Sequence, residues 1–124
     1  MSQDIVSDAL NKMINANRVG KTSIEVSYHS KLLSSILAIA KLRGYVKEYK
    51  IESGVLKIEL GRLNSCKALK PRYTVKVEQI DKYAKRYLPA KDMGIIIVST
   101  SKGLMTHYTA IEKNIGGSLL AYFY

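Results

Sequence analysis

The spacing of apolar residues changes period several times along the chain, and each change predicts an element. Over residues 4–17, Ile5, Val6, Ala9, Leu10, Met13 and Ile14 fall on two adjacent i, i+4 rows, the mark of a helix with one apolar face. Asp4 stands where an N-cap belongs, and Gly20 lies just past the end. Residues 22–27 alternate instead, with Ile24 and Val26 set between Ser23, Glu25 and Ser27, which predicts a half-buried strand. Ser30 is placed to cap a second helix over 31–43, where Leu32, Leu33, Ile36, Leu37 and Ala40 keep the 3.6 period until Gly44 stops it. Two strands follow at 45–51 and 55–60, joined through Glu52-Ser53-Gly54. The first half reads αβαββ.

From Gly61 to Arg72 the periodicity disappears and the chain becomes polar and basic, with Pro71 imposing an extended or turning path. Residues 74–77 suit a short strand. Ile80, Tyr83, Ala84 and Tyr87 sit at i, i+3, i+4 and i+7, predicting a helix over 78–87 that ends before Pro89. The run Gly94-Ile95-Ile96-Ile97-Val98 is too short for a helix and apolar on both faces, so it reads as a buried strand from whose end the segment 99–103 leaves as a loop. Thr106 is positioned to cap a short helix through about Lys113, Gly116-Gly117 suggests a turn, and 119–124 closes the chain as a strand. The expected fold is α+β in two small lobes: an N-terminal αβαββ lobe over 1–61, a basic connector over 62–72, and a C-terminal, mainly β lobe with short helices over 73–124.

Composition agrees with a folded chain, since 47% of the 124 residues are hydrophobic and the mean hydropathy is −0.06. Charge narrows the function. Lys and Arg outnumber Asp and Glu by 20 to 10, giving +10 and an isoelectric point near 9.7, a surplus whose self-repulsion a polyanion such as nucleic acid would relieve. Cys66 is the single cysteine, so neither an intrachain disulfide nor a multi-cysteine zinc site is expected. The start of the chain lacks a basic, then continuously apolar, secretory pattern, and no run approaches the roughly 18 apolar residues of a membrane span. A cytoplasmic protein is expected, with no membrane partner.

Signatures of catalysis are missing. His29 and His107 have no partners at metal-ligand spacing, and surface or capping roles are expected for both. Ser101-Lys102-Gly103 lacks the glycine-rich frame of a nucleotide-binding loop, so no catalytic residue, metal or cofactor is expected. The cations are better organised. Arg62, Lys67, Lys70, Arg72 and Lys76 occupy Glu59–Glu78 without an intervening carboxylate, and a Pro-stiffened basic segment suits a phosphate backbone. Tyr73, beside Arg72, is the tyrosine that fits an RNA contact. Tyr83 and Tyr87 fall on an apolar stripe, and Tyr45 and Tyr49 on one strand face, which suits core. Ser99, Thr100, Ser101, Lys102 and Gly103 admit two readings: a turn whose hydroxyls bond their own backbone, or short polar side chains on a rigid strand end that reach into an RNA groove.

The run from Gly94 through Ser99-Thr100-Ser101-Lys102-Gly103 and Ala110 to Gly116-Gly117-Ser118 resembles the signature of the small-subunit ribosomal protein eight family. Ser30-Lys31-Leu32, Arg43-Gly44-Tyr45, Gly61-Arg62-Leu63-Asn64-Ser65-Cys66 and Pro71-Arg72-Tyr73 are similar to its archaeal and eukaryotic branch, so the resemblance spans nearly the whole chain. It implies a protein of the small ribosomal subunit that binds the central domain of small-subunit rRNA during early assembly, among neighbouring ribosomal proteins. Ser99, Thr100 and Ser101 would then contact an irregular RNA helix, with Lys102 and Gly103 shaping the loop and Ser30 and Lys31 contributing from the first lobe. Bacterial members often carry a glutamate after the paired glycines. Here Gly117 is followed by Ser118, a departure that puts the acidic contact in doubt and offers a hydroxyl in its place. Two rival readings are a free-standing RNA-binding translational regulator and an enzyme with an assembled Ser/His site.

Overall fold

The computed structural model describes residues 5–27, 30–69, 74–90 and 93–124. The chain is α+β and divides into two compact units, Met1–Cys66 and Lys67–Tyr124. The first unit runs α1 (Ile5–Arg18), β1 (Ser23–Val26), α2 (Lys31–Leu42), β2 (Val46–Glu52) and β3 (Val55–Leu60). Its antiparallel sheet has the order β1-β3-β2. Both helices bury the faces their periodicity marks: Val6, Ala9, Leu10, Met13 and Ile14 on α1, and Leu33, Ile36, Leu37 and Ala40 on α2. Val26, Leu56 and Ile58 supply the fully buried side of the sheet. The expected N-cap Asp4 lies outside the described residues.

One expectation on β2 needs correcting. Val46 pairs with Leu60 but Glu48 with Glu59, so Lys47 is an extra residue on β2. The extra residue reverses the alternation, and Val46 shares its face with Tyr49 and Ile51. Tyr45 and Tyr49 therefore do not share a strand face. Gly44, at φ +85, ends α2 as expected.

The second unit's sheet draws on β4 (Cys66–Ala68), β5 (Thr74–Val75), β6 (Ile95–Thr100), β7 (Gly103–Thr106) and β8 (Gly117–Phe123). Its path is β4-β8-β6-β7, with β5 also on β8. A single 3-10 turn (Val77–Gln79), α3 (Ile80–Tyr87) and α4 (His107–Glu112) complete it. Ile95, Ile96, Ile97 and Val98 are all buried, as a strand apolar on both faces requires. The connector is less irregular than its sequence suggests. Leu63, Cys66, Ala68 and Leu69 within it are buried, and the Leu69 N–H donates to the Leu120 carbonyl at 2.8 Å. A three-residue strand has too few positions to display a period, so pairing with β8 is what defines β4.

Candidate nucleic-acid interface

One end of the second sheet collects hydroxyl groups. Register sets Thr74 opposite Ser118, Ser118 opposite Ser99, and Ser99 opposite Leu104. Directly opposed residues of antiparallel strands project to the same side, so Thr74, Ser118 and Ser99 form a row across β5, β8 and β6. Thr74 Oγ1 and Ser118 Oγ lie 3.1 Å apart. One proton satisfies that pair, which leaves a second proton and spare lone pairs for an outside partner. Thr74 is exposed, and Ser99 and Ser118 are half-buried.

Gly117 is what permits the strands to close up here. A Cβ on Gly117 would overlap the Ser99 carbonyl oxygen, and one on Gly116 would overlap the Val75 carbonyl oxygen. Neither glycine has a positive φ; the left-handed residue after α4 is Asn114, at φ +57. The glycine pair expected as a turn is thus a site of close backbone approach, and the chain turns before it.

The segment 99–103 is not a loop either. Ser99 and Thr100 are the last residues of β6, Gly103 is the first of β7, and Thr100 pairs with Gly103. The hairpin turn has only Ser101 and Lys102 at its tip, both exposed. Thr100 Oγ1 donates to the Gly103 carbonyl at 2.8 Å and accepts the Lys102 N–H at 3.1 Å. That clamp engages the Thr100 proton and one lone pair in holding the turn. Gly103, at φ +107, takes a backbone conformation that an L side chain resists, although a Cβ would meet no neighbour there. The two readings of the segment therefore divide by residue. Thr100 and Gly103 shape the turn, while Ser101 and Lys102 face outward.

The remaining expected contacts are dispersed. Ser30 Oγ accepts the Leu33 N–H at 3.1 Å as the N-cap of α2, and exposed Lys31 begins that helix in the first unit. Arg62, also in the first unit, is exposed after β3, and its N–H donates to the Gly44 carbonyl at 2.9 Å. Lys70, Arg72 and Tyr73 lie outside the described residues. The second unit thus brings together Ser99–Gly103, Gly117 and Ser118, and adds Thr74. Nothing local marks Thr74, because its place in the row depends on a pairing with Ser118 forty-four positions away.

Charge distribution sets this end of the sheet apart. The ion pairs among the described residues, Lys41–Glu48, Lys50–Glu52 and Lys57–Glu52, all belong to the first unit. Lys102 is the only charged residue between Asp92 and Glu112. Nucleophilic chemistry finds little support. His107 is buried rather than at the surface, and its Nδ1 accepts the Ile96 N–H at 3.0 Å, so this nitrogen carries no proton. His29 lies outside the described residues. The Cys66 thiol is buried beside the Leu10 carbonyl, 3.5 Å away, and burial pushes its pKa up to about 12, which keeps it a thiol at neutral pH. Among the described residues no three His, Cys, Asp or Glu side chains gather as metal ligands, and no helix is long and apolar enough to cross a membrane.

Hydroxyl donors, a backbone held in close approach and a lysine with no ion pair among the described residues suit recognition of a polar, anionic surface by hydrogen bonds. Residues 4–124 match the family described as Ribosomal protein S8. The chain is 40% identical over 126 aligned residues to the small ribosomal subunit protein uS8 of Methanococcoides burtonii, covering 98% of this chain and 97% of that one. It is 39% identical over 129 aligned residues to the small ribosomal subunit protein uS8my of Arabidopsis thaliana, with each chain covered in full. Two relatives of such different origin align over almost their whole lengths, and the chain belongs to the ribosomal protein S8 family.

Proposed function

We propose that the protein is a structural component of the small ribosomal subunit that binds the central domain of small-subunit rRNA and supports early assembly of that region, acting in the cytoplasm without catalysis. The observation that carries this reading is the hydroxyl row Thr74–Ser118–Ser99 continuing into a clamped hairpin tip whose lysine is exposed. Membership of the family supports the ribosomal setting. In this reading Ser99, Ser101 and Ser118 engage ribose hydroxyls and base edges of a distorted RNA helix, and Thr74 joins them. Gly117 and Gly103 permit close approach, Thr100 holds the turn, and Lys102 attracts phosphate. Lys31 and Arg62, with Lys70, Arg72 and Tyr73 of the connector, add salt-sensitive attraction, while Ser30 orients the start of α2.

Chemical footprinting of small-subunit rRNA with and without the protein tests the proposal, combined with sedimentation of the protein with small subunits at high salt. Protection confined to the central domain and co-sedimentation are expected. Protection elsewhere would overturn the assignment, and specific RNA binding without co-sedimentation would favour the free-standing regulator.

A further inference from the structure

The second unit carries an aromatic array that the hairpin does not use. Tyr83 and Tyr87, one turn apart on α3, have ring centroids 6.4 Å apart at 14°. Tyr87 continues to Tyr122 on β8 at 5.6 Å and 17°, and Tyr122 to Tyr124 at 6.0 Å and 8°. Four nearly parallel rings thus form an offset ladder. Their inner sides rest on the core around Ile80, Ile96 and Leu119, yet all four remain half-buried, so part of each ring reaches solvent. The sequence assigns Tyr83 and Tyr87 to the core, and the structure gives them two sides.

At the α3 end the ladder acquires charge. The Arg86 guanidinium lies over the Tyr83 ring, 5.9 Å from its centroid, and exposed Lys82 precedes Arg86 by one helical turn. Neither cation is ion-paired among the described residues. The helix carries Lys82, Lys85 and Arg86 against Asp81 alone, and Asp81 lines a groove with Lys85 and Leu88 away from the ladder. A guanidinium set over stacked aromatic rings, with a second cation one helical turn away, complements an unpaired nucleotide: a flat base joined to an anionic phosphate.

We propose that the Tyr83–Tyr87–Tyr122–Tyr124 ladder, ending in Arg86, is a second RNA-binding surface that receives an unpaired nucleotide, its base stacked on the Arg86 plane and its phosphate beside Lys82. The proposal rests on the preceding reading only in naming RNA as the polyanion. The hairpin recognises a structured helix, whereas the ladder takes single-stranded RNA.

The test uses the full chain and an octauridylate containing 4-thiouridine. Binding is followed by tyrosine fluorescence, since the chain has no tryptophan, and photocrosslinks are mapped by mass spectrometry. The wild-type protein is expected to bind and to crosslink within α3 or the end of β8. Arg86→Ala and Arg86→Lys should each weaken binding about tenfold, since the lysine keeps the charge but loses the stacking plane. Tyr83→Leu keeps apolar packing and should weaken it similarly. Leu42→Ala, at the exposed end of α2 in the first unit, should leave octauridylate binding unchanged. No binding by the wild-type protein, wild-type affinity in Arg86→Lys, or crosslinks confined to other segments would each overturn the ladder proposal. A central-domain rRNA fragment that still binds would show that the hairpin reading survives it.

Discussion

Among the described residues, β2–β3 and β6–β7 are each joined by a two-residue turn, and the two hairpins are stabilised by opposite means. Between β2 and β3 the turn is Ser53-Gly54, at φ +52 and +76, the left-handed pair that suits the twist of flanking strands. Its surface is neutralised by its own charges: Glu52 Oε1 meets Lys50 Nζ at 2.8 Å, and Glu52 Oε2 meets Lys57 Nζ at 3.1 Å. Among the described residues the β6–β7 hairpin forms no ion pair, and a hydroxyl holds the turn, Thr100 reaching across Ser101-Lys102 to Gly103. The first hairpin engages Lys50 and Lys57 internally. The second holds its shape without spending charge, so Lys102 stays available to a ligand. The units share the same ten cations each, but the first has six carboxylates and the second four, a net +4 against +6. The contrast lies less in the totals than in where the neutralising contacts fall.

The largest expected effect comes from breaking the close approach that aligns the hydroxyl row. Gly117→Ala would set a methyl group against the Ser99 carbonyl, a backbone atom that moves only with its strand. Thermal or urea unfolding should show a loss of roughly 1–3 kcal/mol, as overpacking typically costs, and the folded fraction should bind rRNA poorly. Stability and affinity equal to wild type would show that the row does not depend on this contact.

Removing the clamp comes next. Thr100→Val keeps the shape of the side chain and deletes both hydrogen bonds, with an expected cost of about 1 kcal/mol. The corresponding rRNA affinity should fall although Thr100 need not touch RNA. A variant of unchanged stability would mean that the turn is held by backbone alone. Smaller again is Lys102→Met, which should lower the salt dependence of rRNA binding by somewhat less than one unit of logarithmic slope. An unchanged slope would place Lys102 away from phosphate.

The weakest effect belongs to the other hairpin and its neighbour. Lys41 holds the Glu48 carboxyl below its ordinary 4.5, and Lys50 with Lys57 does the same to Glu52. A carboxylate lowered in the folded state adds stability that is complete above 4.5 and is lost as pH falls through the lowered values. The contribution is modest because these groups are exposed to solvent. Glu52→Gln should therefore flatten the acid limb of the pH–stability profile slightly and leave rRNA affinity at neutral pH unchanged. A marked loss of affinity would tie the first hairpin to the RNA surface and erase the contrast.

Local chemistry explains which parts of this fold were legible. The 3.6 period marks α1, α2 and α3 because each buries one stripe, and Ser30 and Thr106 cap α2 and α4 where the sequence places them. β1 and β3 show their alternation because one side of each is buried. What stayed hidden depends on distant pairing. β4 is three residues inside a basic stretch, and Gly103-Leu104-Met105-Thr106 has no strand pattern until β6 pairs with it. Gly116-Gly117 reads as a turn because glycine suits both φ > 0 and close approach, and only the neighbouring carbonyls distinguish these. The hydroxyls at 99–101 were visible as a group. Their division into a clamp and an outward tip was not, because it depends on which of them the turn itself consumes.

The central claim is that the tip between β6 and β7 reads rRNA through hydroxyl groups, and Ser101→Ala tests it most directly. Titration of a central-domain rRNA fragment with wild-type and variant protein should show a loss of roughly 1–3 kcal/mol in binding free energy, with circular dichroism and thermal unfolding unchanged. Equal affinity in a correctly folded variant would contradict the claim.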